Sequence, residues 1–199
     1  MKFHAAMMPC VSRYTGRMFQ TRRFQHCPVC GGQIEYRIPA DDNRERATCT
    51  VCGTIQYENP LNVVGTLPVW GDQVLLCRRA IEPRLGKWTL PAGFMELGET
   101  LAQGAQRETD EEAGVQIEMQ DLYCVMNVVR VGQVHLFYRA RMLAPDCDPG
   151  PETLEARLFH EHEVPWDELA FHTVRYALER FFEDRRRGQG FPLHTADIA

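Results

Sequence analysis

The stretch that decides the fold is Gly93-Phe-Met-Glu-Leu-Gly-Glu99, then seven residues, then Arg107-Glu-Thr-Asp-Glu-Glu-Ala-Gly-Val115. Its spacing predicts a helix from about Thr100 to Ala113, which ends at Gly114. At about 100° per residue, the small and apolar residues of this helix form one stripe, suited to close packing on a sheet. That stripe contains Leu101, Ala102, Ala105, Thr109 and Ala113.

Three acidic residues of the same helix, Glu108, Glu111 and Glu112, lie together on the arc beside the apolar stripe. Like charges four residues apart destabilise a helix by about 0.2–0.5 kcal/mol per pair, and Arg107 offsets only part of this repulsion. Several carboxylates on a rigid element are what a hard divalent cation requires, and Glu99 adds one more from the preceding loop. The alternative interpretation is an acidic helix face that is simply solvated.

This spacing resembles the signature of the Nudix family, Gly-x5-Glu-x7-Arg-Glu-U-x-Glu-Glu-x-Gly-U, in which U is aliphatic. Thr109 stands at the first U position and is the one departure. The resemblance implies hydrolysis of a nucleoside diphosphate linked to another group, with Mg²⁺ or Mn²⁺ as the cofactor. A module that senses a nucleotide without cleaving it is a further alternative, although such modules generally lose motif carboxylates.

The resemblance also implies roles for individual residues of the motif. Glu108, Glu111 and Glu112 would bind the metal, with Glu99 assisting directly or through water. The backbone carbonyl of Gly93 would be a further ligand, while Arg107 would hold the carboxylates in place. The resemblance thus implies as catalytic residues Arg107, Glu111 and Glu112, and as metal ligands Gly93, Glu99, Glu108, Glu111 and Glu112.

The general base is open between Glu112 and a glutamate outside the motif, in Pro151-Glu-Thr-Leu-Glu155. Members of the family often place a metal ligand or base on that loop or strand, and we predict Glu155. Its alternation with Leu154 and Leu158 fits an ordinary solvent-facing strand residue equally well.

Before this motif, the chain carries two Cys-x-x-Cys pairs, formed by Cys27, Cys30, Cys49 and Cys52. Four thiolates at this spacing predict a closed tetrahedral zinc site with a structural role. Gly31-Gly32 and Gly53 follow the two pairs and would allow the tight turns that metal binding needs. We predict a small zinc ribbon over residues 26–58, which depends on the metal because so short a unit cannot bury enough apolar surface.

From residue 59, strand patterns alternate with turns, and a second amphipathic helix is predicted near residues 173–186. Mixed strands with helices on both sides predict an α/β fold, an α/β/α sandwich with a mixed sheet. We divide the chain into a disordered or targeting tail over 1–25, the ribbon over 26–58, the Nudix domain over 59–186 and a flexible tail over 187–199.

A ribbon joined to a Nudix domain resembles two groups of enzymes. NADH pyrophosphatases, some of which remove NAD caps from RNA, carry Ser-Gln-Pro-Trp-Pro-Phe-Pro after the motif, whereas this chain has Asp121-Leu-Tyr-Cys-Val-Met-Asn127. Stretches such as Gly86–Glu96 and Val164–Phe171 resemble the FAD and ADP-ribose pyrophosphatases. We therefore expect FAD or ADP-ribose as substrate, with release of AMP, and keep NADH or NAD-capped RNA as the alternative.

Four residues are candidates for substrate binding. Arg78 and Arg79 lie where a phosphate or ribose could be approached, although arginines at a strand end are often only solvated. Trp88 and Phe94 could stack on an aromatic ring of the substrate, but burial in the core is the competing role for both.

Composition and charge restrict the partners. The net charge is −5, which argues against a nonspecific nucleic-acid binder, so we expect a small-molecule substrate and no nucleic acid. No apolar run approaches the roughly 20 residues that span a bilayer, so we expect no membrane partner. Nudix enzymes of this size are often dimers, and a homodimer is an open prediction.

The unpaired arrangement of Cys10, Cys77, Cys124 and Cys147 indicates free thiols and a reducing, cytoplasmic location. The basic segment 1–25 leaves organelle targeting as an alternative.

Overall fold

The computed structural model describes residues 23–198. Most of the predicted tail over 1–25 lies outside these residues, as does Cys10. The ribbon is a three-stranded antiparallel sheet whose strands lie in sequence order. Its strands are β1 (Ile34–Arg37), β2 (Arg46–Cys49) and β3 (Ile55–Gln56).

The larger part of the chain is built on one eight-stranded mixed sheet, whose main path is β10-β5-β4-β9-β8-β11. β4 runs parallel to β9 and β8 runs parallel to β11, while the other pairs are antiparallel. Two short strands extend it, since β6 pairs with β5 and β7 pairs with β4. The strands are β4 (Leu61–Trp70), β5 (Gln73–Arg79), β6 (Trp88–Thr89), β7 (Ala92–Phe94), β8 (Ile117–Val128), β9 (Gln133–Met142), β10 (Thr153–Phe159) and β11 (His194–Asp197).

Two helices cover the opposite faces of this sheet, so the predicted α/β/α sandwich is confirmed. Helix α1 (Leu101–Ala113) buries Ala105 against Val64 and Leu136 on one face. Helix α2 (His172–Arg187) packs a larger apolar cluster on the other face. That cluster includes Leu67, Tyr123, Met126, Phe137, Val174, Leu178, Phe181 and Phe182. Among residues 23–198, no helix is long and apolar enough to cross a membrane.

The end of the chain differs from the prediction of a flexible tail over 187–199. Residues 194–197 form β11, which pairs in parallel with Cys124–Asn127 of β8. Phe191 stacks on Phe181 with ring centroids 5.3 Å apart, and His194 lies 2.7 Å from a buried carboxylate oxygen of Asp184. This segment is ordered because its apolar and polar side chains both find partners in the core under α2.

Candidate functional site

Arg107 is the centre of the carboxylate cluster. Its guanidinium donates to Glu99 (Nη2–Oε1, 2.8 Å), to Glu108 (Nη1–Oε1, 2.7 Å) and to Glu111 (Nη1–Oε2, 3.1 Å). Hydrogen bonds from Arg107 and from the backbone N–H of Glu96 lower the pKa of Glu99 to about 2. The structure therefore brings together three of the carboxylates predicted to bind the metal, those of Glu99, Glu108 and Glu111. Arg107 lies between them, as predicted for the residue that holds the carboxylates in place.

The local sequence explains how Glu99 and the helix are joined. Thr100 is the N-cap of α1, accepting a hydrogen bond from the backbone N–H of Gln103, whose side chain accepts from the Thr100 N–H in return. This capping box fixes the first turn, and it places Glu99 immediately outside the helix, within reach of Arg107 about two turns later. The predicted helix over 100–113 is thus confirmed, with Thr100 as its cap.

Glu112 is the most buried of the motif carboxylates, with 8% of its surface exposed. Its Oε2 accepts a hydrogen bond of 3.0 Å from the backbone N–H of Ala92 in β7. Burial raises its pKa to about 7, and the neighbouring charge of Glu108 adds to this effect. Burial also raises the pKa of Glu108. The carboxylates of Glu108 and Glu112 therefore leave an excess of negative charge at this buried site, and a divalent cation would neutralise that charge.

Residue 93 has to be a glycine because the carboxylate of Glu108 packs directly against its backbone. A Cβ atom built on Gly93 would lie 2.3 Å from Oε2 and 2.4 Å from Oε1 of Glu108, so a larger residue would displace that carboxylate. Gly93 lies in β7, opposite Val64 of β4. The structure thus places Gly93 beside the cluster, and metal binding by its carbonyl stays a prediction.

Outside the motif, two glutamates of the predicted segment Pro151–Glu155 lie near the site. After burial, the charge of Glu152 is among the causes that raise the pKa values of Glu108 and Glu112. Glu155 pairs across the strands with Arg78, and its carboxylate lies 4.0 Å from the guanidinium of Arg157. The register shifts between Thr153 and Glu155, so simple alternation does not continue through this segment, and the role of Glu155 as the base stays a prediction.

The loop that carries Glu152 is pressed against the end of α1 at two glycines. Gly114 has a φ of +61°, and a Cβ there would lie 2.1 Å from the carbonyl oxygen of Asp148. A Cβ on Gly150 would lie 2.0 Å from the carbonyl oxygen of Glu111. The Asp148 N–H also donates to the carbonyl oxygen of Ala113 at 2.9 Å. The loop and the carboxylate helix therefore form one packed unit.

The residues predicted to bind substrate lie in different environments. Arg78 donates to the carbonyl oxygen of Gly86 at 3.0 Å, whereas Arg79 donates to that of Pro83 at 2.8 Å. Glu112 and Glu152 both act on the pKa of Arg79, which burial lowers, so Arg79 lies towards the carboxylates. Arg79 therefore lies near the cluster, and substrate binding by Arg78 or Arg79 stays a prediction.

Trp88 and Phe94, the two aromatic candidates for substrate binding, also differ in their exposure to solvent. Trp88 is 6% exposed and packs edge-to-face on Phe159 with ring centroids 4.9 Å apart, so the structure corrects its predicted stacking on substrate to a core role. Phe94 is 47% exposed, and its carbonyl oxygen accepts a hydrogen bond of 3.2 Å from Arg107. Phe94 is therefore adjacent to the cluster and open to a ligand.

Thr109, the departure from the motif, has a partner that the sequence pattern did not reveal. Its Oγ1 donates to the carbonyl oxygen of Ala105 at 2.7 Å and lies 2.7 Å from Oγ1 of Thr66 in β4. Both threonines are fully buried. The polar residue is accommodated because its hydroxyl is hydrogen-bonded on both sides.

The four ribbon cysteines form the predicted metal-ligand set, with sulfur atoms all within 4.8 Å of one another. Backbone N–H groups point at three of these sulfurs at 3.4 Å: Val29 at Cys27, Gly32 at Cys30, and both Val51 and Cys52 at Cys49. Such donors stabilise thiolates, the form that binds metal. Gly31 and Gly53 have the predicted positive φ, while Gly32 instead leaves room for Val51.

Outside the ribbon, Cys77, Cys124 and Cys147 are free thiols, as predicted.

Comparison with known proteins agrees with this geometry. The family model described as NUDIX domain matches residues 60–182, and the model described as Nudix N-terminal, a zinc ribbon, matches residues 25–58. A NUDIX hydrolase from Nitrosomonas europaea has a crystal structure with a TM-score of 0.84 and 47% identity, covering 88% of this chain and 99% of that chain. An ADP-ribose pyrophosphatase from Streptococcus suis, at 21% identity and a TM-score of 0.54, covers 70% of this chain and 100% of its own and shares the fold.

Curated relatives point to the same family. The NAD-capped RNA hydrolase NudC of Pseudomonas aeruginosa strain PAO1 is 33% identical over 188 residues, which cover 92% of this chain and 65% of that protein. Its counterpart from Stutzerimonas stutzeri is 30% identical over 171 residues, covering 84% of this chain and 59% of that protein. The chain thus spans less than two thirds of the length of these relatives. From the motif geometry, the cysteine cluster and these matches together, the chain belongs to the Nudix hydrolase family and carries the zinc ribbon that precedes the domain in some of its members.

Proposed function

We propose that this chain hydrolyses the pyrophosphate bond of an adenine dinucleotide of the NAD type and releases AMP. The observation that carries the proposal is the carboxylate cluster itself, in which Arg107 orients Glu99, Glu108 and Glu111 while Glu112 is buried beside them. A divalent cation held there would neutralise the pyrophosphate and make a water molecule a better nucleophile.

The residues of the chain supply positioning and proton transfer. Arg107 and the capped start of α1 keep the carboxylates at fixed separations, which lowers the cost of organising them during the reaction. Glu112, the buried carboxylate of the cluster, is one candidate to accept the proton of the attacking water, and Glu152 and Glu155 are the candidates outside the motif. Arg79, on whose pKa the charge of Glu112 acts, would contact the negative charge that develops on the departing phosphate.

The NAD-type substrate is supported by the relatives, since those named above are NAD-capped RNA hydrolases. Whether a capped RNA or a free dinucleotide is used is a separate matter. Two ribbon arginines lie near acidic side chains, Arg37 at 3.1 Å from Glu35 and Arg46 at 2.9 Å from Asp42, and Arg23, just before the ribbon, lies 3.8 Å from Glu45. These pairs reduce the positive charge available for an RNA backbone, which favours the free dinucleotide.

FAD or ADP-ribose is the second candidate, favoured by the segment after the motif. Where NADH pyrophosphatases have a proline-rich stretch, residues 117–128 here form strand β8, followed by a 3-10 turn over Val129–Val131. A different backbone in this segment would change the contacts available to the second half of the dinucleotide.

A substrate panel tests the proposal. The wild-type protein is assayed for AMP release from NADH, NAD-capped RNA, FAD and ADP-ribose with Mg²⁺ or Mn²⁺, beside Glu111→Gln and the matched control Asp110→Asn, an exposed acid of the same helix. We expect AMP from NADH at the highest kcat/KM, loss with Glu111→Gln and no change with Asp110→Asn. A higher kcat/KM on FAD or ADP-ribose would reverse the substrate order, and full activity of Glu111→Gln would refute the site.

Zinc in the ribbon is proposed from the donor set, since four sulfurs within 4.8 Å of one another fit tetrahedral coordination. Metal analysis of the purified protein should give about one zinc per chain, and Cys49→Ser should lose it. Less than about half a zinc per wild-type chain would contradict the proposal.

A further inference from the structure

A row of side chains crosses one face of the sheet near the carboxylate cluster. The surroundings of Gly65 show which residues share that face. Gly65 pairs with Ala92 of β7 on one side and with Phe137 of β9 on the other. A Cβ on Gly65 would lie 2.4 Å from the Cβ of Ala92 and 2.9 Å from Cε1 of Phe137. These three residues therefore share one face of the sheet, the face that α2 covers.

Two residues further along each strand, the same face carries Phe94, Val63 and His135, which are again direct partners across β7, β4 and β9. This second row is more open than the first: Phe94 is 47% exposed, and Val63 and His135 are half-buried. Nε2 of His135 lies 3.0 Å from Oε1 of Gln133, two residues along on the same face. The row therefore ends in a pair of groups that can both donate and accept hydrogen bonds.

The row and the carboxylate cluster meet at β7, from opposite faces of the sheet. Arg107 donates to the carbonyl oxygen of Phe94 at 3.2 Å, and Gly93, the preceding residue, lies against the carboxylate of Glu108. Because β7 pairs only with β4 among the strands of residues 23–198, a substrate whose phosphates lie at the cluster could pass the free edge of β7 and extend one of its rings along Phe94, over Val63, towards His135. A planar heterocycle matches this surface, since it offers an apolar face and polar edges.

We propose that His135, together with Gln133, is the specificity-determining pair that recognises the polar edge of the substrate's heterocyclic ring, while Phe94 stacks on its face. The inference rests on the proposed function. Burial lowers the pKa of His135 to about 4, so its ring is neutral at physiological pH, with one nitrogen as donor and the other as acceptor. The Gln133 contact engages Nε2, and the second ring nitrogen can pair with the ligand.

The test compares His135→Leu and His135→Gln with His162→Leu, a control that removes an exposed histidine from a distant 3-10 turn. For the best substrate of the panel, we expect KM to rise about 10-fold in His135→Leu with kcat changed less than about twofold, and His135→Gln to recover part of the loss. His162→Leu should match the wild type. Thermal unfolding of each variant shows whether the fold is kept.

Product inhibition identifies the ring. If the adenine half lies on the row, His135→Leu raises the inhibition constant of AMP; if the other half does, it raises that of nicotinamide mononucleotide, and either result supports the inference. A folded His135→Leu with wild-type KM and unchanged inhibition by both products would overturn it. A wild-type protein that cleaves none of the panel would instead refute the proposed function, so the two failures are distinguishable.

Discussion

Two buried carboxylates, one on each helix, differ in how their charge is met. Asp184 of α2 is 4% exposed; its Oδ2 accepts a hydrogen bond of 2.8 Å from Tyr123 and lies 2.7 Å from Nε2 of His194. Glu112 of α1 is 8% exposed and accepts one backbone hydrogen bond from Ala92. Burial raises the pKa of Glu112 to about 7, whereas at Asp184 burial is outweighed by the bonds from His194 and Tyr123, and the pKa is lowered.

The difference separates a structural charge from one that we propose to be functional. At Asp184 the protein provides its own partners, and the result is an anchor for the end of the chain. At Glu112 it provides further negative charge from Glu108 and Glu152 instead. Such a cluster costs stability, and binding of a cation and substrate would offset that cost.

The largest expected effect is on catalysis. Glu112→Gln keeps the shape and the bond to the Ala92 N–H but removes the charge, so kcat should fall by about two to four orders of magnitude. Asp184→Asn should change kcat less than about twofold, because its partners lie around β11 and not at the cluster. Steady-state assays with Mg²⁺ on the best substrate measure both. Equal losses of kcat in the two variants would contradict a catalytic role for Glu112 and a structural role for Asp184.

The free energy of unfolding should change in the opposite order. Asp184→Asn weakens a charge-assisted pair of contacts to Tyr123 and His194, and should lower it by about 2 kcal/mol at pH 7. Glu112→Gln, measured without added divalent cation, should leave it unchanged or raise it, because a buried charge beside Glu108 is removed. Urea denaturation of both variants gives the comparison. A strongly destabilised Glu112→Gln would show that this carboxylate is structural.

The pH dependence of stability follows from the lowered pKa of Asp184. A carboxyl with a depressed folded pKa stabilises the protein fully above its unfolded value, about 3.9, and loses that contribution as pH falls through the folded value. The difference in unfolding free energy between wild type and Asp184→Asn should therefore be largest near neutral pH and shrink below about pH 4. Denaturation curves at several pH values check this, and a gap that widens on acidification would contradict it.

The smallest effect concerns a neutral buried pair, Thr66 and Thr109. Thr109→Val supplies the aliphatic residue of the family signature but leaves the hydroxyl of Thr66 without its partner, and should cost about 1 kcal/mol. Thr66→Val combined with Thr109→Val should recover most of that cost, because no buried hydroxyl is then left without a hydrogen-bond partner. A double-mutant cycle by urea denaturation measures the coupling. Additive losses would show that the two hydroxyls act independently.

Much of the site was predictable because its signals are local. The helix over 101–113, its glycine end and the two cysteine pairs depend on spacing along a few residues, and the structure confirms them. The choice between Glu152 and Glu155 could not be made from the strand pattern, because the register of β10 shifts between Thr153 and Glu155, and Glu155 as the base stays a prediction. The pairing of residues 194–197 with β8 could not be read either, since its anchors are 10 to 71 residues away in sequence. The homodimer stays a prediction.

The packing of the loop at residues 146–152 on α1 has a consequence for how the site can be altered. Gly150 touches the backbone of Glu111 where no methyl group fits, and Asp148 is held by its hydrogen bond to the carbonyl oxygen of Ala113. An alanine at 150 would therefore push this segment away from the helix that carries the carboxylates. The cluster can thus be disturbed through the backbone, from a residue that has no side chain and lies outside the motif.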